Sequence, residues 1–196
     1  KLNSGEYSFK ADELDLEFLK SDEYKNLAKS IRGSIMIVGP LLARFGFGSI
    51  PKPGGDNIGR RRLDTHFQSF KKLGAEFSYD GKESFFKIRA KNLRGSNILL
   101  DEASVTGTAN IVMTSVLAEG KTTIYNAACE PYIQQLCKML VKMGANISGI
   151  GSNLLRIEGV SSLNGCNHTI LPDMIEIGSL IGMAAMTKSS ITIKNV

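Results

Sequence analysis

Apolar residues follow two different spacings in this chain. Ile111, Val112, Met113, Val116 and Leu117 leave almost no polar face on a helix. The same holds for Ile177, Leu180, Ile181, Met183, Ala184, Ala185 and Met186. The spacing predicts helices over residues 111–118 and 177–186, and a helix that is apolar all round is buried on all sides. Residues 35–44 read as a third such helix. Two further helices end near Leu73 and Met143. They carry Lys71, Lys72, Lys138 and Lys142, and so lie nearer the solvent. The second opens at Glu130-Pro131, where the missing proline N–H costs little, and stops at Gly144. Short β-rich runs predict strands at residues 7–10, 48–50, 84–89, 97–100, 122–125, 153–157, 168–171 and 190–193.

These elements repeat. Phe70-Lys71-Lys72-Leu73-Gly74-Ala75 aligns with Leu140-Val141-Lys142-Met143-Gly144-Ala145, and Asn126 aligns with Asn195. The period is about 70 residues, which marks a supersecondary unit used more than once. Each copy reads helix, strand, strand, strand, helix, strand. The fold class expected is α+β, with the apolar helices inside and the sheets outside. Residues 1–25 are charged and irregular apart from the strand at 7–10, and are expected to form a solvated connection.

Composition narrows the possibilities without deciding them. The 196 residues carry 24 basic and 19 acidic side chains, a mild excess of +5. Arg60, Arg61 and Arg62 form the dense basic cluster. A nucleic-acid surface calls for a broader basic stripe with aromatic platforms, so nucleic acid is not an expected partner. No run of 18 apolar residues is present, and no membrane partner is expected. Cys129, Cys137 and Cys166 have no metal-ligand or disulfide spacing. They read as packing residues in a reducing cytoplasm, and no metal is expected. The opening stretch lacks the apolar core of a signal peptide, and the chain opens without Met, as a truncated chain would.

Three motifs carry a resemblance. They are Arg32-Gly33-Ser34-Ile35 followed by Gly39-Pro40-Leu41-Leu42-Ala43-Arg44-Phe45-Gly46, then the stretch from Pro53-Gly54-Gly55-Asp56 through Arg60-Arg61-Arg62-Leu63-Asp64-Thr65-His66, and Asp101-Glu102-Ala103-Ser104-Val105-Thr106-Gly107-Thr108. Together they resemble the enolpyruvyl transferase family, and within it the branch that acts on UDP-N-acetylglucosamine. Leu171-Pro172-Asp173-Met174-Ile175-Glu176-Ile177-Gly178 is similar to the family's crossover between domains. The resemblance implies two domains of βαβαββ units around buried parallel helices. On that basis residues 1–172 are most of the loop-bearing domain, and residues 173–196 begin a second, mostly absent one. The family's donor-side Lys-Asn pair has no match here. The isolated chain is therefore expected to be inactive, with its apolar tail helix free to self-associate.

The resemblance also implies a bacterial cytoplasmic reaction, an early step of peptidoglycan synthesis. The enolpyruvyl group of phosphoenolpyruvate moves to the sugar 3-hydroxyl, phosphate leaves, and no cofactor is needed. Arg32 and Arg61 would contact phosphoenolpyruvate, since guanidinium groups suit carboxylate and phosphate oxygens. Arg62, Leu63 and Asp64 would line the uridine side, with Pro common in relatives where Arg62 stands. Ser104, Val105 and Thr106 would hold the diphosphate on a helix N-terminus. Asp56 would be the catalytic loop residue, where many relatives carry Cys. It needs a raised pKa to donate a proton, and without sulfur it predicts resistance to fosfomycin, which alkylates the loop thiol. Glu102 replaces the Lys of many relatives. His66 reads equally as a site residue or as packing. The alternatives are an enolpyruvylshikimate phosphate synthase-like enzyme and a non-catalytic nucleotide-sugar-binding domain.

Overall fold

The computed structural model describes residues 5–55, 62–82 and 84–196. The described elements in chain order are α1 (Asp22–Ser30), α2 (Val38–Phe45), β1 (Phe47–Pro51), α3 (Asp64–Lys72), β2 (Glu76–Asp80), β3 (Phe85–Arg89), β4 (Asn97–Leu99), α4 (Val105–Ser115), β5 (Lys121–Tyr125), α5 (Pro131–Lys142), β6 (Asn146–Ser148), β7 (Leu154–Glu158) and α6 (Met174–Thr187). Short 3-10 turns at Glu17–Lys20 and Arg32–Ile37 lead into α1 and α2.

The expected repeat is present. α3-β2-β3-β4-α4-β5 gives one full copy, and α5-β6-β7 begins the next. Two sheets result, ordered β1-β3-β2 and β4-β5-β7-β6. The first is antiparallel, with Ile50 opposite Phe86 and Phe77 opposite Ile88. The second joins a parallel β4·β5 pair to antiparallel β5·β7 and β7·β6 pairs.

Alternation explains what each sheet buries. Ile98, Thr122, Ile124, Leu155 and Ile157 face inward against α4, while Lys121, Arg156 and Glu158 of the second sheet do not. In the first sheet Ile50 and Ile88 face the core with Phe70 of α3 and Leu42 of α2. α2 and α4 lie in the middle, and Gly107–Val112 of α4 are all buried. α3 and α5 keep their lysines in solvent, as their patterning implies.

Several expectations are corrected. Residues 7–10 form no strand, because no described strand pairs with them, and Phe9 is 91% exposed. The first 25 residues are not all solvated, since Leu19 and Tyr24 are buried and Tyr24 Oη donates to the Ser49 carbonyl at 2.8 Å. Residues 168–171 and 190–193 form no strands either. By the repeat they correspond to the parallel pair β4·β5, which is stabilised by β7 alongside, and these two runs have no such neighbour among the described residues. α6 forms as expected, capped by Asp173 on the Ile175 N–H, but it buries none of its residues. Of the three cysteines only Cys137 packs in the core, where burial pushes its thiol up to about 11, while Cys129 and Cys166 are exposed.

Candidate functional site

The described candidate residues gather around the N-terminal end of α4. Arg32 opens the turn before α2, beside the Gly54-Gly55 run. A Cβ at Gly55 would stand 3.1 Å from the Arg32 nitrogen, and one at Gly54 would stand 1.5 Å from the Lys29 carbonyl. Side chains there would prevent this approach, and Gly55 also has a left-handed φ of +96°. Arg32 Nη2 then donates to the Arg62 carbonyl at 3.0 Å. Arg32 thus touches both flanks of the 56–61 segment. Asp56 and Arg61 themselves lie outside the described residues.

Arg62 continues the path. Its Nε lies 2.7 Å from Asp64 Oδ2, and its Nη2 lies 3.4 Å from Asp101 Oδ2. Asp64, and then Asp101, hold the guanidinium more firmly protonated than usual. Thr65 Oγ1 donates to Asp101 Oδ1 at 3.2 Å. This ties the start of α3 to the approach to α4. Leu63 is half-buried directly before α3.

Ser104 caps α4, its Oγ accepting from the Gly107 N–H at 3.1 Å. That bond occupies one first-turn donor. The N–H groups of Val105 and Thr106 have no intrahelical partner and stay open. A Cβ at Gly107 would meet the Thr65 methyl at 2.9 Å, so α3 and α4 approach closely here. Behind this tip His66 is 1% exposed. Burial, and then the charge of Arg32, pushes its pKa down to about 4, so the ring is neutral at physiological pH.

Sequence patterning missed the residues that connect these groups. Asn110 lies buried in the apolar run of α4. It accepts from the Gly39 N–H at 3.0 Å and donates to the Ile35 carbonyl at 2.9 Å. A lone Asn between Ala109 and Ile111 was the available signal. Asp101 and Thr65 gave none of their own. A cavity of about 460 Å³ opens elsewhere, at the C-terminal ends of α2 and α4, lined by Arg44, Phe45, Lys91, Leu117 and Glu119. Among the described residues no helix is long and apolar enough to cross a membrane.

Fold and site together define an α+β repeat unit with arginines and open amide donors around the half-buried tip of one buried helix. The chain belongs to the EPSP synthase (3-phosphoshikimate 1-carboxyvinyltransferase) family, whose model matches residues 12–196. It is 66% identical over 190 residues to UDP-N-acetylglucosamine 1-carboxyvinyltransferase of Bacteroides fragilis, covering 97% of this chain and 44% of that protein. The protein of the same name from Treponema denticola is 55% identical over 184 residues, covering 93% of this chain and 42% of its own length. The chain therefore spans less than half of these relatives. Among solved structures, the enolpyruvyl transferase NikO from Streptomyces tendae aligns at a TM-score of 0.67 with 19% identity, covering 80% of this chain and 37% of that one. An EPSP synthase from Acinetobacter baumannii aligns at 0.59 with 20% identity, covering 80% and 36%. These two bear on the fold alone.

Proposed function

We propose that the complete protein carrying this chain transfers the enolpyruvyl group of phosphoenolpyruvate to the 3-hydroxyl of UDP-N-acetylglucosamine and releases phosphate. The observation that carries this reading is the 66% identity over nearly the whole chain to enzymes named for that carboxyvinyl transfer. The geometry is compatible with it. Two anionic substrates must be held together against their repulsion, and Arg32 stands between the flanks of the Gly-rich segment while the tip of α4 presents open N–H donors.

The chemistry is an addition followed by an elimination. The sugar hydroxyl gives up its proton to a base as its oxygen bonds to C2 of phosphoenolpyruvate, while an acid adds a proton to C3. A base then removes a proton from C3 of the tetrahedral adduct as the C2–O bond to phosphate breaks, which regenerates the double bond and frees inorganic phosphate. Arg32 and Arg61 take the phosphoenolpyruvate oxygens. Arg62, Leu63 and Asp64 take the uridine side, Ser104, Val105 and Thr106 the diphosphate, and Asp56 is the proton donor of the loop. Residues 1–172 form most of one domain, residues 173–196 begin the next, and the setting is bacterial cytoplasmic cell-wall synthesis.

The test is phosphate release by the complete protein with each acceptor. Release that requires UDP-N-acetylglucosamine supports the reading. Release that requires shikimate 3-phosphate instead assigns the chain to the sister activity, and release with neither overturns both. Asp56 carries no thiol, so fosfomycin is expected to leave the complete protein active after prolonged incubation. A covalent adduct on the 54–62 peptide with loss of activity contradicts this.

A further inference from the structure

The Gly39 N–H fixes the direction of the hydrogen bonds behind the α4 tip. The Gly39 N–H can only donate, so Asn110 turns its oxygen there and its amide nitrogen the other way. That nitrogen donates to the Ile35 carbonyl and to His66 Nδ1, both at 2.9 Å. Nδ1 is therefore a bare acceptor, and the neutral ring carries its proton on Nε2. Nε2 faces Thr106 Oγ1 at 3.4 Å, so the threonine oxygen accepts and its own proton is left for a second partner.

Threonines inside helices usually turn that proton back onto their own helix. Thr114 does so, donating to the Asn110 carbonyl at 2.8 Å, and Thr187 does so to the Met183 carbonyl at 2.8 Å. Thr106 does not, because the residue four positions before it, Glu102, precedes the helix. No described residue accepts from it. Thr106 is also half-buried in the first turn of α4, beside the open N–H groups.

We propose that His66 is a positioning residue that holds the Thr106 hydroxyl as a donor to an anionic oxygen of the nucleotide sugar's diphosphate. This rests on the transfer function above and adds a residue to its acceptor side. Gly39, Asn110, His66 and Thr106 then form one relay of fixed polarity from the α2–α4 contact to the ligand.

The test is calorimetric titration of UDP-N-acetylglucosamine into the complete protein and its variants. Thr106→Val is expected to bind about tenfold more weakly, the effect of one lost hydrogen bond to a charged group, and Thr106→Ser to bind like the parent. His66→Phe is expected to weaken binding by a similar factor, and to add nothing when combined with Thr106→Val. The KM for phosphoenolpyruvate should stay unchanged in all of them. Parent-like affinity of Thr106→Val, or equal losses in Thr106→Val and Thr106→Ser, overturns the proposal even if His66→Phe fails to fold. Multiplying losses in the double variant overturn it as well. A parent protein that does not bind the nucleotide sugar removes the function and the proposal together, whereas the variant outcomes remove the proposal alone.

Discussion

Protonating the buried His66 ring in the folded protein sets a charge in a buried site beside Arg32. An unfolded histidine takes up its proton near pH 6.5, and the folded ring does so only at about 4. The unfolded state therefore binds the extra proton first. The stabilisation is complete above about pH 6.5, declines as pH falls, and has lost about 3 kcal/mol once pH is below the folded value. Urea midpoints measured across that range should fall on the acid side, and His66→Phe should flatten the fall. An unchanged acid slope in the variant would show that another group controls it. Glu102 leads to a different expectation. It is exposed on the approach to the α4 tip, and with Asp101 it opposes an anion there. Glu102→Lys should tighten UDP-N-acetylglucosamine binding roughly two- to fivefold at low salt, with the gain shrinking as salt rises. Identical constants at both salt levels would place Glu102 away from the ligand. Arg32, Ser104 and Thr106 were singled out in the sequence because they lie in recognisable motifs. Thr65 and Asp101 lie in the same motifs, but the hydrogen bond between them, like that of Asn110 with Gly39, joins residues that only folding brings near.

The contact between α2 and α4 shows why one glycine is fixed. A Cβ at Gly39 would stand 2.7 Å from both the backbone carbonyl and the side-chain oxygen of Asn110, and 3.1 Å from Thr114 Oγ1. Neither oxygen can retreat cheaply, since one sits in the backbone of α4 and the other accepts from the Gly39 N–H. Gly39→Ala is expected to cost about 2 kcal/mol, lowering the melting temperature by roughly 5 °C. A variant that melts with the parent would mean that the helices separate without strain. Helices were the elements most readable beforehand, because an amphipathic or all-apolar period declares itself locally: α5 and the end of α3 fall where patterning put them, although α4 spans Val105–Ser115 against an apolar run at 111–118. Strands were less readable. Residues 85–89 and 168–171 were both expected to be strands, but only the first pairs with described neighbours, β1 and β2. The α2 helix begins later than its apolar run because Arg32–Ile37 winds as a 3-10 turn against the loop flanks.

The repeat also predicts how this chain behaves in solution. α6 is the counterpart of α4. α4 is enclosed by α2, α3, α5 and the second sheet, whereas α6 leaves Ile175, Ile181 and Met183 exposed, with Met186 87% exposed. A helix with this pattern gains from burial whichever apolar surface covers it, and exposed patches of this kind drive association. In the 196-residue chain alone, the nearest available surface is the same helix on another copy. The segment that leads to α6 is anchored separately: Asn164 N–H donates to the Met143 carbonyl, the Leu171 N–H bonds Gln135, and Leu163 packs on the core. α6 can therefore be removed without opening that core. The chain ended at Pro172 should run as a monomer in light scattering and melt at the temperature of the 196-residue chain, which should show concentration-dependent association. Persistent association after removal would assign the contact to another surface. A lower melting temperature would mean that α6 supports the fold it hardly touches.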